Sequence, residues 1–489
     1  MIKENGLLST TFDVPKMSVE ELQVVTTAPS RFLSKVLKGS PMDGDTIHPP
    51  IVQPECFCEI PTDSGDIWRI CLVPGGRHLL AHDGVALILY DLDTKKPLKQ
   101  QHCNQQSLIK INHNDDSMFT LCASPDGREL RVLMVRQPVE DLGFGGIEGD
   151  ITVFRFVFDD EDNGSVKVLQ HQIRTPFGGL KSRFGERPYT LVGDLLIFGG
   201  VMEDDQEVIE VWNYMQNTFA CWYAPMDSEV PYREIFCNGS YVISTSLSEL
   251  TSWKMPPLLP RPAYDSAPIQ NRPVSSLAPF LWPLEYSNSP DVSSLRCARL
   301  FDWYNTFFPL QSVEYVVKLK SQPISSYQTL IKFDIPPSIF QPSHKVEHSV
   351  EPALGPATLI NVPHHSMTYQ PSDNSISPQS QHIALGPFSL CNGWIVKPFM
   401  RSKKLYVHAT PEDAPSVCTI DQDSANRIRK DPIIELGLPA GIDVMTTPAT
   451  LSRRYFNFDP VSGRLAYLPL DGPGRIVVVD YLRFPDTKS

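Results

Sequence analysis

Trp68-Arg69-Ile70-Cys71-Leu72-Val73-Pro74-Gly75-Gly76-Arg77-His78-Leu79-Leu80-Ala81-His82-Asp83-Gly84-Val85-Ala86-Leu87-Ile88-Leu89-Tyr90-Asp91-Leu92 contains three short apolar runs and two turns. The first run enters Pro74-Gly75-Gly76, the second enters Asp83-Gly84, and the third ends at Tyr90-Asp91. Runs this short, bounded by Gly, Pro and Asp, read as strands. Asp-Gly suits a tight hairpin because glycine has no Cβ to clash at positive φ. The stretch therefore reads as three antiparallel strands of one small sheet.

The same grammar recurs outward from it. Residues 118–135 with 151–158, 191–200 with 208–213, and 234–244 with 250–253 repeat the pattern of strand, turn, strand. Further units fall at 315–319 with 327–334, at 390–396 with 404–408, and at 456–467 with 475–481. Gly-Arg steps mark three of the units: Gly76-Arg77, Gly127-Arg128 and Gly463-Arg464. These are expected to be fold markers, each Gly in a conformation that a Cβ would strain and each Arg on the outer or rim surface, its stem over apolar surface and its head wet or paired. One small antiparallel sheet cannot bury both faces, whereas neighbours in a ring bury them for each other. The expected fold is all-β: a β-propeller of about seven four-stranded blades, WD-like or kelch-like. It fills residues 51–489, with long loop insertions at 254–310 and 335–389, where Pro is dense. A pair of packed β-sheets is the structural alternative. Residues 51–60 are expected to complete the last blade and close the ring.

Residues 1–50 read as a short N-terminal helical arm. Ser18 and Glu21 have capping-box spacing. Val19, Leu22 and Val25 fall near one face, and Phe32, Val36 and Leu37 form a second apolar cluster. Pro29 is expected to break the segment into two short helices, because it lacks an N–H and clashes with the preceding turn.

Composition narrows the function. The formal net charge is −13, which does not suit nucleic acid or an anionic membrane as partner. The polar start of the chain has no apolar core of a signal peptide, and no apolar run is long enough to span a bilayer. Cys71, Cys122, Cys237 and Cys391 each sit in an apolar run, which reads as buried free thiols in a reducing, intracellular setting, cytoplasmic or nuclear.

Candidate chemistry is thin. Asp159–Gly164 has calcium-loop spacing, but Gln170 stands where a bidentate Glu is needed, so an acidic hairpin tip is the reading. Cys56-x-Cys58 lacks a second ligand pair, so the two cysteines and Ile60 are expected on one strand face. His364-His365 reads as a solvated loop. Gly199-Gly200 is a weak kelch-like sign. Asp83, Asp91, Asp126, Asp459 and Asp480 are available for a glycosidase-like carboxylate pair in a central channel, but each occupies a turn or strand-end slot. No enzyme activity, cofactor or metal is expected, and a propeller enzyme with such a pair is the rival reading. Trp212, Trp253 and Trp394 are expected in blade cores. Trp282, Trp303 and Tyr304, in the Pro-rich stretch and the run after it, are the candidate partner-binding residues.

Trp68…Val73-Pro74-Gly75-Gly76-Arg77…Leu79-Leu80, followed by Leu89-Tyr90-Asp91-Leu92, resembles the first propeller blade of F-box proteins of mushroom-forming fungi. Ser18-Val-Glu-Glu-Leu-Gln-Val-Val25 resembles the helical linker before that blade. The resemblance implies an adaptor role, in which the F-box binds a Skp-type adaptor of a cullin ubiquitin ligase and the propeller captures a protein target. Residues 1–17 lack the Leu-Pro opening and apolar helices of an F-box. The expectation is therefore an unknown protein target, with no direct Skp-type contact.

Overall fold

A computed structural model of the chain describes residues 5, 7–12, 14, 17–38, 49–62, 67, 69–83, 86–92, 104–110, 118–135, 150–158, 166–174, 189–201, 207–224, 234–245, 250–260, 269–270, 275–277, 292–297, 312–319, 328–334, 384–385, 389–392, 394–401, 404–411, 433–440, 442, 444, 456–470 and 474–482. Their strands form seven sheets that follow one another along the chain.

Blade one is Arg69–Leu72, His78–His82, Ala86–Asp91 and Asn104–Lys110. Blade two is Met118–Ala123, Glu129–Val135, Asp150–Phe158 and Val166–Arg174. Blade three is Tyr189–Val192, Leu195–Val201, Glu207–Asn213 and Thr218–Tyr223, and blade four is Glu234–Asn238, Tyr241–Thr245, Leu250–Lys254 and Ser275–Leu277. Blade five has Val292–Cys297, Ser312–Leu319 and Gln328–Asp334. Blade six pairs Ala384–Leu385 and Ser389–Cys391 with Trp394–Arg401, then Lys404–Pro411 and Ile433–Leu436. Blade seven is Phe456–Asp459, Arg464–Tyr467 and Arg475–Asp480, with Cys56–Pro61 as its outermost strand.

The ring closes through that last pairing, which joins Cys56 to Asp480 and Pro61 to Arg475. The N-terminal strand thus satisfies the edge that the C-terminal strand would leave open. The expected closure strand divides in two, since Ile51–Val52 adds in parallel to blade six and only Cys56–Pro61 joins blade seven. In blade seven the first strand is wholly buried, whereas the closure strand is alternately exposed. In blade seven the first strand is therefore the inner one.

Apolar seams join the blades, because each strand alternates its side chains between two neighbours. Leu80, Leu89, Val132 and Phe156 fill the seam between blades one and two, and Val153, Phe198, Val208 and Trp212 that between two and three. Ile209, Trp222, Val242 and Trp253 join three to four. Val407, Ile434, Phe458 and Val479 join six to seven, and Leu79, Ile88, Ala466 and Val478 join seven to one.

Two expectations are corrected here. Residues 254–310 are not simply a loop: Leu259–Pro260 and Ile269–Gln270 add to blade three, Ser275–Leu277 to blade four, and Val292–Cys297 opens blade five. Proline density hid these pieces because short edge strands tolerate it. Of 335–389, residues 384–385 and 389 are strand, and the rest lies outside the described residues. The second correction is Pro29, which does not break the arm. Val19–Lys38 is one helix. Its capping box is as expected, with Ser18 N–H donating to Glu21 Oε2 (2.7 Å) and Glu21 N–H to Ser18 Oγ (3.2 Å). Side chains serve carbonyls in the turns before Pro29: Thr26 and Thr27 hydroxyls donate to Leu22 and Gln23 oxygens, and Arg31 Nη2 donates to Val24 O. Ala28, Phe32, Leu33 and Val36 bury against blades six and seven, and this packing outweighs the local cost. Val19, by contrast, is exposed.

Candidate partner-binding faces of the ring

In blades one, two, three, four, six and seven the first and second strands join at the same end of the ring. The described inner turns are short: 73–77, 124–128, 193–194, 239–240, Asn392 and 460–463. The chain's own N-terminus crosses four of them. Asn5 Oδ1 accepts the Asn392 N–H (2.9 Å), and Asn5 Nδ2 donates to Asn392 Oδ1 (3.3 Å), in blade six. Leu7 and Phe12 pack on Val461 of blade seven, with Val25 of the helix. Leu8 enters the seam of blades one and two. Ser9 N–H and Oγ–H both donate to Gly127 O of blade two (2.8 and 3.2 Å). Ser9–Thr11 then makes one 3-10 turn that brings the Thr11 methyl against Gly75 of blade one. Asn5, Leu7, Leu8, Thr11 and Phe12 are all buried. Reading the sequence missed these contacts; the Leu7-Leu8 pair and Phe12 in a polar stretch were the available signal.

At the seam of blades seven and one lies a buried polar knot. Arg464, its side chain 1% exposed, clamps Asp480 with two bonds (2.6 and 3.1 Å) and donates from Nη1 to Gly76 O (2.7 Å). Asp459 accepts the N–H groups of Gly75 (3.2 Å) and Ser462 (2.8 Å) and the Ser462 hydroxyl. Burial holds the Asp459 carboxyl above the usual carboxylate range, with the Ser462 and Gly75 hydrogen bonds and Arg464 opposing. Blades two and three are tied likewise: Arg131 reaches Gly193 O and Asp194, while Arg155 pairs with Glu129.

The Gly-Arg steps are half as expected. Gly76, Gly127 and Gly463 all have positive φ, at 69°, 70° and 67°. A Cβ on Gly76 would also strike the Ser462 side chain, so the turn and its neighbour require glycine together. Arg77 lies at the rim, half-buried and paired with Asp91 (3.0 Å). Arg464 contradicts the expectation of a surface arginine. Its step is offset by one residue: the second strands begin at His78, Glu129 and Arg464, so Arg464 matches His78 rather than Arg77. A one-residue slip turns a side chain to the other face of a strand.

The five aspartates are each engaged in the fold. Asp91 and Asp480 pair with arginines, and Asp459 binds the turn. Asp83 Oδ1 accepts the Ala86 N–H (2.6 Å), and Asp126 accepts the Arg128 N–H (3.1 Å). Cys56, Cys58 and Ile60 do share one strand face. Cys71, Cys122, Cys237 and Cys391 are buried and in no disulfide, and burial pushes Cys71 and Cys237 up to about 12. Among the described residues, no group of three or more His, Cys, Asp or Glu is placed to hold a metal ion. No helix among them is long and apolar enough to cross a membrane. Gly199 and Gly200 lie within a strand, opposite Ile209 and Val208. Trp212 and Trp253 are core, as is Trp222, and Trp394 is half-buried. Trp282, Trp303, Tyr304, Asp159–Gly164 and His364-His365 lie outside the described residues.

These features define a seven-bladed β-propeller closed by its N-terminal strand. No protein-family model matches the chain, and no curated protein matches it. Solved structures similar to it include the WD40 domain of SCAP from fission yeast, at 6% identity over 86% of this chain and 83% of that one (TM-score 0.36). The β-propeller domain of Cps50 (Swd1) from Myceliophteria thermophila matches at 12% identity over 86% and 99% (TM-score 0.37). The WD40 domain of coronin from Toxoplasma gondii matches at 11% identity over 89% of each chain (TM-score 0.39). The strand pairing, rather than these distant likenesses, carries the fold.

Proposed function

We propose that the ring is a protein-binding scaffold acting inside the cell, and specifically the target-recognition part of an F-box-type ubiquitin-ligase adaptor. The observation that carries the binding role is the unlike use of its two ends. The inner-turn end is occupied at four blades by residues 5–12 of the same chain. The opposite end, where second strands turn into third and blade passes to blade, is the one we assign to a target. Leu470 lies there, between the second and third strands of blade seven, and is 45% exposed. Its exposure makes it a position at which to probe that end. The ubiquitin-ligase form is supported by the first-blade resemblance, and the reducing compartment by the buried cysteines in no disulfide.

The test is affinity capture with the full chain, identification of the retained protein, and binding measurements on two variants. Leu470→Asp should weaken capture by an order of magnitude or more, the scale of a lost hot spot at ~2 kcal/mol. Val14→Asp, an exposed position on the arm side, should leave it unchanged. The reverse pattern would place the target on the other end and defeat this reading.

A further inference from the structure

The N-terminal segment lies on the ring as a bound peptide does. Its anchors are separate: Asn5 on blade six, Leu7 and Phe12 on blade seven, Leu8 between blades one and two, Ser9 on blade two and Thr11 on blade one. It adds no strand to any sheet. The ring closes without it, through Cys56–Pro61, and the helix docks by its own residues Ala28, Phe32, Leu33 and Val36. Neither the closure strand nor these four helix residues contact residues 5–12 in their clusters, and the segment meets the helix at Val25. On the ring side the contacts combine backbone, at the Gly127 carbonyl, the Asn392 N–H and the bare Cα of Gly75, with side chains, at Asn392 Oδ1, Val461 and the seam that takes Leu8. Asn392 lies at φ 48°, a left-handed turn conformation that asparagine tolerates, and its N–H meets Asn5.

We infer that the groove across the inner turns of blades six, seven, one and two is a peptide-binding site held shut in cis by residues 5–12, and that an uncharged segment of a partner protein, able to make the same single turn, displaces them. The occupant fixes the chemistry. Asn5-Gly-Leu-Leu-Ser-Thr-Thr-Phe12 carries no charge, although the chain as a whole is at −13. The competing segment presents an amide, two adjacent aliphatic side chains, a hydroxyl and an aromatic ring at the same spacing. In cis the resident segment has the advantage of a high effective concentration, so displacement needs a partner that is abundant or tethered nearby. The identity of such a partner rests on the protein-binding reading above; the site itself does not.

The test uses the full chain and a labelled synthetic peptide of residues 5–12. Wild type should bind it weakly, because the site is filled. Leu8→Asp, which disables the resident segment and leaves the ring-side contacts intact, should bind it saturably and at least about tenfold more tightly than wild type does. Adding Asn392→Gly should weaken that binding, and a peptide carrying Leu8→Asp should not bind. A folded Leu8→Asp chain that binds no better than wild type overturns the inference. If Leu8→Asp does not fold, amide exchange of wild type decides the matter. Ser9 N–H should exchange by local opening, at least about a hundredfold faster than Val477–Val479 in blade seven. Equal protection would show that the segment leaves only on global unfolding, and would overturn the inference. A dimer that grows with concentration and is lost in Leu8→Asp would assign the groove to a second copy instead, which also overturns the partner form. Peptide binding that persists when Leu470→Asp has no effect on target capture would defeat the function proposed above and leave this site standing.

Discussion

Arg464 shows how much one position decides. With Asp480 it forms a buried pair, to which Gly76 O adds a third bond. Removing one partner of such a pair strands the other charge, whereas removing both does not. Arg464→Leu should therefore cost on the order of 3–5 kcal/mol in chemical denaturation, and Arg464→Leu with Asp480→Leu should recover most of it. Equal losses in the single and double variants would mean that the pair is worth more than its desolvation. His78, the matching residue of blade one, makes a different case. It is buried against Phe158, and neither ring nitrogen has a hydrogen-bond partner among the described residues. Burial lowers its pKa from 6.5 to about 3, with Asp91 opposing and Arg77 assisting. The unfolded chain therefore takes up the proton first as the pH falls. This term is absent above about pH 6.5, and stability is lost below it, by about 1.4 kcal/mol per pH unit until the pH nears 3. His78→Leu should flatten that part of the stability profile. A wild-type slope unchanged by the substitution would locate the proton uptake elsewhere.

The closure strand is the element that turns an open row of blades into a ring, and the helix packs beside it on blades six and seven. Along Cys56–Pro61 the side chains alternate, and Ile60 is buried in the seam with blade one while Cys56 and Cys58 pack half-buried against it. Ile60→Ala should cost about 2–5 kcal/mol, the range for emptying a buried aliphatic site. Phe57→Ala, on the exposed side of the same strand, should change stability by about 0.5 kcal/mol or less. Equal effects at the two positions would mean that the strand is not seated as described. The alternation was legible at sequence level because a strand repeats every two residues. The helix was legible at its start, where Ser18 and Glu21 act on each other. It was not legible at Pro29, because the contacts that carry the helix through it come from blades six and seven.

At the scale of the whole molecule, the first part of the chain is committed to the ring. Residues 5–12 cross the inner turns, Val19–Lys38 packs on blades six and seven, and Cys56–Pro61 closes the circle. The described residues of 5–12 lie against the inner turns and not as the apolar helices through which an F-box meets its adaptor. The chain as given should show no binding to a purified Skp-type adaptor at micromolar concentrations, measured by calorimetry. A measurable heat with one-to-one stoichiometry would show that the arm does serve that contact.

The local grammar of short apolar runs and turn residues was enough to reach a ring of small antiparallel sheets. Strands, the Asp83 turn, the shared face of Cys56 and Cys58 and the positive-φ glycines all follow from interactions among near neighbours. Tertiary structure alone decided the burial of Arg464, whose partners include Gly76 O, 388 positions away. It alone decided the course of the N-terminal segment, where Asn5 meets Asn392 across 387 positions. No period or propensity within a short window carries such a pairing. It exists only once the ring has closed and brought the two ends of the chain to adjacent blades.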